Sequence, residues 1–337
     1  MIFQPAIIAL LLVSTLCVAA LLASAPFAVE LVRRWDIASG SEHQLRLERR
    51  TYLFSTLLAF VLAAQLAAVL LFVFNAEKMS GQFVGAMCAV GTLNVNAWGF
   101  PALDAKIALF FLAAIWLAIN HVDNQARDYP LVRLKYGLLL GLAPLVALAA
   151  WIEWRYFLGL KADVITSCCG SMFSEGSPTL AAEASSLPPL TAIWLFYGAL
   201  GAAIALAAAH GLARGRQRWS GYALAAASVL AFVAAIAGIV SFVSLYIYEH
   251  PHHHCPFCIL KPEYDFQGYW LYAPLFVGAA AGLAAGAVQP FARVASLREV
   301  VPAFSARMAA LAANAFALVA AIATVMIWNS RLILLEH

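Results

Sequence analysis

The chain has 337 residues, of which 64% are hydrophobic and only 11% are charged. A soluble domain is about half apolar and about a quarter charged, because its surface has to face water. The composition therefore excludes an ordinary soluble domain and places the chain in lipid. The formal net charge of +3 comes without a long basic run or interleaved aromatic and basic residues, which excludes nucleic acid as a partner.

The apolar segments are long and rich in Ala and Leu, without the short alternation of barrel strands. Because only helices and closed barrels satisfy the backbone in hydrocarbon, we predict an all-α fold. It is a polytopic membrane helical bundle in which residues 1–337 form a single integral-membrane domain. About eight segments reach the roughly 20 apolar residues that a span requires. They are residues 5–31, 53–76, 102–122, 137–159, 190–212, 221–247, 270–291 and 308–330.

The first segment is predicted to be a retained span. No basic region precedes it, no clear cleavage site follows it, and Arg33 and Arg34 come directly after it, unlike the pattern of a signal peptide.

The distribution of Lys and Arg between the connections predicts the orientation of the bundle. The connections after the first, third, fifth and seventh spans are basic, whereas the intervening ones carry few basic residues. The basic connections contain Arg33, Arg34, Arg46, Arg49, Arg50, Arg127, Arg133, Lys135, Arg214, Arg216, Arg218, Arg293, Arg298 and Arg307. We therefore predict a multi-pass protein of the inner (cytoplasmic) membrane with both termini extracytoplasmic.

This orientation places three cysteine-bearing loops outside the cytoplasm, at residues 77–101, 160–189 and 248–269. They carry Cys88, Cys168, Cys169, Cys255 and Cys258. The sixth cysteine, Cys17, lies in the first span and is interpreted as a small apolar core residue. Thiols outside the cytoplasm are oxidised, bound to metal or part of an exchange relay, so the cysteines indicate one of these three roles.

The segment from His250 to Cys258 reads HPHHHCPFC and favours a metal site. Thiolate and imidazole are the ligands that soft or borderline ions prefer, which indicates copper first and zinc second. We predict Cys255 and Cys258 as primary ligands, with His252 and His254 next. In this hypothesis Cys168 and Cys169 form a second metal-binding position. The full set of candidate ligands is Cys255, Cys258, His252, His254, Cys168, Cys169, Cys88, His250 and His253.

The rest of the sequence limits what a metal site can do. The central spans lack a run of buried acids, an intramembrane thiol pair and a phosphate-binding glycine loop. We therefore predict binding and delivery of the ion, in metal handling or metalloprotein assembly, rather than self-powered transport. The expected partners are the lipid bilayer and an extracytoplasmic protein or membrane complex.

Two alternatives stay open. The pairs Cys255/Cys258 and Cys168/Cys169 resemble those of the membrane disulfide oxidoreductases of the DsbB and vitamin K epoxide reductase type. That resemblance, confined to these residues, implies an enzyme that exchanges disulfides and passes electrons to a quinone. In the other alternative, the chain is a structural subunit of a membrane complex with loop disulfides. Adjacent cysteines disfavour it, because closing a ring between them strains the peptide.

Overall fold

The computed structural model describes residues 3–161, 166 and 185–334. It is 81% helical, and no strand is found within these ranges. Eight helices are long and apolar enough to cross a membrane. The predicted all-α fold, with about eight spans, is therefore confirmed, and each predicted segment overlaps one of the eight helices.

Ten α-helices are labelled here in chain order. They are α1 (Pro5–Arg34), α2 (Glu42–Lys78), α3 (Ala89–Leu93), α4 (Gly99–Gln125), α5 (Val132–Leu158), α6 (Pro189–Leu212), α7 (Arg218–Gly238), α8 (Ser244–Tyr248), α9 (Gln267–Ala287) and α10 (Val300–Asn329). The helices α1 and α6 begin with proline in the first turn, where the missing N–H costs no helical hydrogen bond.

The chain divides into two compact units. The first unit comprises Met1–Asn75, Val95–Lys161 and Pro290–Val301, and the second comprises Ala76–Asn94, Ala162–Gln289 and Pro302–His337. In the first unit α5 packs against α1 and α4, around a core that includes Phe27, Trp116 and Tyr136.

Two buried ion pairs join α4 to α5 in the first unit. Lys106 Nζ lies 2.9 Å from Glu153 Oε1, and Lys135 Nζ lies 2.7 Å from Asp123 Oδ2. Ser14 of α1 also donates to the Glu153 carboxylate. The four charged side chains are at most 4% exposed, so each charge depends on its partner for stabilisation.

In the second unit α7 packs against both α6 and α9, and small residues permit the close approach. A Cβ added at Gly282 of α9 would lie 1.9 Å from Ser228 Oγ of α7, and one at Gly286 would lie 2.5 Å from the Ala225 Cβ. The small side chains Ala207, Ala285 and Ala309 complete a core with Leu224.

A π-helical segment, Ile239–Val243, connects α7 to α8. Such segments interrupt the regular i→i−4 ladder and are frequent at functional sites. The carbonyl of Val240 accepts a hydrogen bond from Ser244 Oγ at 3.2 Å and lies 3.0 Å from Nδ1 of His254. The segment therefore ties the histidine-rich loop to the end of a long helix.

Candidate functional site

Three cysteines of the second unit lie together. The sulfur atoms of Cys88, Cys255 and Cys258 all lie within 4.8 Å of one another, and those of Cys88 and Cys255 are 3.6 Å apart. All three side chains are buried, with exposed fractions of 0%, 0% and 5%. We call this group the cysteine cluster. Two of its members are separated by 167 positions in the chain, so the tertiary fold creates the cluster.

A carboxylate at the end of α2 fixes the backbone beside Cys88. Cys88 has an extended conformation immediately before α3, and its carbonyl accepts the N–H of Gly91 at 3.0 Å. The N–H of Ala89 donates to Glu77 Oε2 at 2.7 Å. Glu77 is only 8% exposed. This hydrogen bond therefore holds the start of α3, and with it Cys88, against the last turn of α2.

Two tyrosines and a glycine position the other two cysteines. The hydroxyl of Tyr248 donates to the Cys255 carbonyl, and the hydroxyl of Tyr272 donates to the Pro256 carbonyl at 2.8 Å. Cys258 opens a short 3-10 turn, Cys258–Leu260, whose residues are buried. A Cβ at Gly268 of α9 would lie 2.7 Å from Leu260 Cδ2. The CPFC segment is thus held from both sides by buried packing.

The separations within the cysteine cluster fit a thiophilic ion. With metal–sulfur distances of about 2.3 Å, three sulfurs around one ion lie about 3.8–4.0 Å apart in tetrahedral or trigonal geometry. The structure places one pair at 3.6 Å and none beyond 4.8 Å. Shifts of less than about 1 Å would therefore seat an ion. Among the described residues, no other such group of three or more His, Cys, Asp or Glu side chains is found.

His254 makes the ring hydrogen bond that is typical of a metal ligand, although it is outside the cysteine cluster. Its Nδ1 lies 3.0 Å from the Val240 carbonyl oxygen, which can only accept a hydrogen bond. Nδ1 therefore carries a proton, and in the neutral ring Nε2 has a lone pair. Metal-ligating histidines commonly donate their other ring N–H to a carbonyl in this way.

The other three histidines lie on the outer side of the loop. His250 and His252 are exposed, and the backbone N–H of His252 donates to His250 Nδ1 at 3.3 Å. His253 is half-buried and stacks on the Tyr248 ring, with centroids 4.1 Å apart. None of the three belongs to the cysteine cluster. Cys168 and Cys169 lie outside the described residues.

A third tyrosine beside the loop stays neutral at ordinary pH. The ring of Tyr264 packs at 4.8 Å against the ring of Tyr248. Burial raises the pKa of the Tyr264 phenol, and the negative charge of Cys258 raises it further, against a smaller opposing effect of Lys261. Tyr264 is therefore a neutral phenol, and not a phenolate, beside Tyr248.

Some of these features are not evident from the sequence motif. Glu77 was not among the candidate residues, although an acid at the end of an apolar span is a recognisable signal. Tyr248 and Tyr272 look like ordinary interfacial aromatics in the sequence. Their contacts with the CPFC carbonyls depend on where α8 ends and how α9 packs.

Comparison of the chain with protein-family models, with curated proteins and with solved structures finds no match. The chemistry of the cysteine cluster is therefore inferred from its own geometry.

Proposed function

We propose that this protein binds a thiophilic transition metal ion, copper(I) first and zinc second, at the cysteine cluster. In this proposal it exchanges the ion with an extracytoplasmic protein partner or membrane complex. The observation that carries the proposal is the gathering of three buried sulfurs within 4.8 Å.

The number and type of donors support copper(I) over zinc. Thiolates are soft ligands, and copper(I) is among the ions that they select. Zinc almost always takes four ligands in structural sites, and the lone pair on His254 Nε2 is the candidate for the fourth. A role for His254 would therefore favour zinc or a four-coordinate copper site.

The exposed histidines support exchange of the ion with the outside. His250 and His252 lie on the surface of the loop that continues into Cys255, and their ring centroids are 6.1 Å apart. Imidazoles at this position would bind an arriving ion weakly before it reaches the buried thiolates. They would equally accept it on the way out to a partner.

The test is the metal content of protein purified in mild detergent without chelator or reductant. Elemental mass spectrometry should find copper or zinc at close to one ion per chain. Cys88→Ala, Cys255→Ala and Cys258→Ala should each weaken binding by at least about 100-fold, because even changes beyond the ligands cost 10- to 100-fold.

The matched control is Cys17→Ala. Cys17 is also fully buried but lies in α1 of the first unit. This variant should keep its metal. Equal loss in Cys17→Ala would indicate a general folding defect, and retention of metal in Cys258→Ala would contradict the three-sulfur site.

A second candidate function is thiol–disulfide exchange. Shortening the 3.6 Å between Cys88 Sγ and Cys255 Sγ to about 2.05 Å would form a disulfide, with Cys258 as a third thiol for exchange. Cys168 and Cys169 are the second cysteine pair in this alternative. They follow Thr166 by two and three residues in the sequence, and the N–H of Thr166 donates to the carbonyl of Val84, four residues before Cys88, at 2.9 Å.

Oxidation of two thiols releases two electrons and two protons, which reduce a quinone to a quinol. In this alternative the purified protein contains no metal, and added quinone lowers the thiol count by two per chain as one disulfide forms and one quinone is reduced. Cys88→Ala and Cys255→Ala abolish that loss, whereas His250→Ala changes only its rate. If the protein contains no metal and its disulfides never cycle, only the alternative of a structural subunit with loop disulfides remains.

A further inference from the structure

A cavity of about 570 Å³ lies in the second unit, lined by residues of α8, α9 and α10 and of the adjoining loops. Its size falls within the 300–1,000 Å³ of typical small-molecule sites. None of the candidate metal ligands among the described residues lines it. The cavity is therefore a separate feature, and the proposed metal site does not account for it.

One wall of the cavity is apolar and accessible from lipid. It includes Trp270 of α9 and Val325 and Met326 of α10. Trp270 is 67% exposed and Val325 57% exposed. Both lie in helices long and apolar enough to cross a membrane, so in a bilayer these exposed surfaces would border lipid. A ligand can therefore enter the cavity from the bilayer.

Two side-chain amides also line the cavity. Gln267 and Asn329 line the cavity, and neither side chain hydrogen-bonds to another residue of the described chain. The neighbouring Ser330 hydroxyl is already engaged, since it donates to the Tyr246 carbonyl at 2.7 Å. Each amide offers N–H donors to a ligand, so the lining is suited to acceptor oxygens.

The charge of the lining excludes a phosphate headgroup. Of the described residues that line the cavity, only Glu249 has a formal charge at neutral pH. Its Oε1 accepts the backbone N–H of Arg331 at 3.0 Å, which holds a negative charge at the cavity. A phosphate would be repelled there and would find no lysine or arginine among the lining residues, whereas a neutral head with carbonyl oxygens meets no such penalty.

We propose that this cavity binds a lipid-soluble quinone. The ring lies against Trp270, and the carbonyl oxygens accept hydrogen bonds from Gln267 and Asn329. Stacking of a flat ring on an indole and donation by two amides together match the chemistry of a quinone.

The helix α8 places this cavity next to the loop of the cysteine cluster. Tyr246 lines the cavity, and Tyr248, two residues later, donates its hydroxyl to the Cys255 carbonyl. The proposal goes beyond the metal site and does not depend on it, because binding of the quinone uses none of the cysteines.

The experiment uses full-length protein in nanodiscs of phosphatidylcholine free of quinone, titrated with decylubiquinone. Saturable quenching of tryptophan fluorescence reports binding, and Trp270→Phe should remove the saturable part. Gln267→Leu and Asn329→Leu should each weaken binding about five- to tenfold, which corresponds to the loss of one hydrogen bond.

The matched control is Asn314→Leu, on the same helix as Asn329. The Asn314 amide donates to the Ala310 carbonyl at 2.9 Å within α10 and does not line the cavity. This variant should bind decylubiquinone like the unchanged protein. An equal loss in Asn314→Leu, or quenching that never saturates in the unchanged protein, overturns the proposal.

A competition arm separates a quinone from a phospholipid occupant. Replacing part of the phosphatidylcholine by phosphatidylglycerol should leave the affinity for decylubiquinone unchanged, and displacement would show that a phospholipid occupies the cavity. Metal content is measured on the same variants. Gln267→Leu and Asn329→Leu should keep their metal, and Cys88→Ala should keep its quinone binding, so the two proposals fail independently.

Discussion

At the scale of single residues, His254 serves the fold and the candidate site with different ring nitrogens. Nδ1 donates to the Val240 carbonyl in the π-helical segment, where the regular ladder is interrupted. Nε2 keeps the lone pair that a metal would use. The two roles can therefore be separated by substitution.

His254→Asn should lower metal affinity and leave stability nearly unchanged. The Asn amide can occupy the place of Nδ1 and donate to Val240, but it has nothing in the place of Nε2. His254→Ala should lower metal affinity and also destabilise the second unit by about 1 kcal/mol, since the hydrogen bond to the carbonyl is lost. Chelator competition gives the affinity and thermal unfolding in detergent gives the stability. A His254→Asn protein that binds metal normally would show that Nε2 is not a ligand.

The motif HPHHHCPFC predicts part of the candidate site at the scale of single residues. The motif marks Cys255 and Cys258, because closely spaced soft ligands are recognisable without a fold. From the motif we rank His252 and His254 above the other two histidines, but the motif does not reveal the contacts of His254 with Val240 and of His253 with Tyr248. Cys88 was a candidate ligand in the sequence, but its 3.6 Å approach to Cys255 comes from tertiary packing.

At the scale of helices, the two ion pairs hold α4 and α5 together near both ends. Lys106 and Asp123 are 17 positions apart in α4, which corresponds to a rise of about 25 Å. The hydrocarbon core of a bilayer is about 30 Å thick. The two ion pairs therefore lie near the two edges of the hydrocarbon core. In each pair the Lys and the acid neutralise each other, because the apolar surroundings would not stabilise either charge alone.

Lys106→Met should destabilise the first unit by about 3–5 kcal/mol, because it leaves the Glu153 carboxylate buried without a cation. Combining it with Glu153→Gln should recover most of that loss, since no uncompensated charge then remains. Thermal and denaturant unfolding in detergent measure both variants. The exposed Lys161→Met serves as control and should change stability by less than about 0.5 kcal/mol. If the double variant were as unstable as Lys106→Met, charge burial would not be the cause.

Hydropathy predicts the helices better than it predicts their ends. The predicted segment 53–76 corresponds to α2, which begins at Glu42, and the segment 308–330 corresponds to α10, which begins at Val300. The additional turns of α2 are polar, because a helical backbone ladder can continue past the apolar sequence, whereas in those of α10 the apolar sequence is interrupted by Pro302 and Arg307. The short α3 depends on local packing, and the π-helical segment lies inside the predicted apolar segment 221–247, where hydropathy does not reveal the change of hydrogen-bond ladder.

At the scale of the whole molecule, the cysteine cluster agrees with the predicted number of crossings. Cys88 follows the second candidate span and Cys255 follows the sixth. Four crossings return the chain to the same side of a membrane, so two loops after even-numbered spans can meet. Their contact therefore supports the expectation that all four helices between them cross.

Reporter fusions test the predicted orientation. Alkaline phosphatase, which is active only outside the cytoplasm, should be active when fused after Asp265 or at the C-terminus. Green fluorescent protein should fluoresce when fused after Gly40, Asp128 or Gly215, because these positions follow odd-numbered spans with basic connections. The opposite pattern would place the cysteine cluster in the cytoplasm and remove the basis for an exchange with extracytoplasmic partners.

The distance between Cys88 and Cys255 along the chain also has a consequence for biosynthesis. Their separation of 167 positions takes roughly 10–30 s to translate at typical rates of 5–20 residues per second. During that interval the loop with Cys88 has already emerged, but Cys255 and Cys258 have not yet been translated. An ion that requires all three ligands can be captured only after the sixth span is inserted, so a loaded cluster would mark a nearly completed and correctly threaded chain.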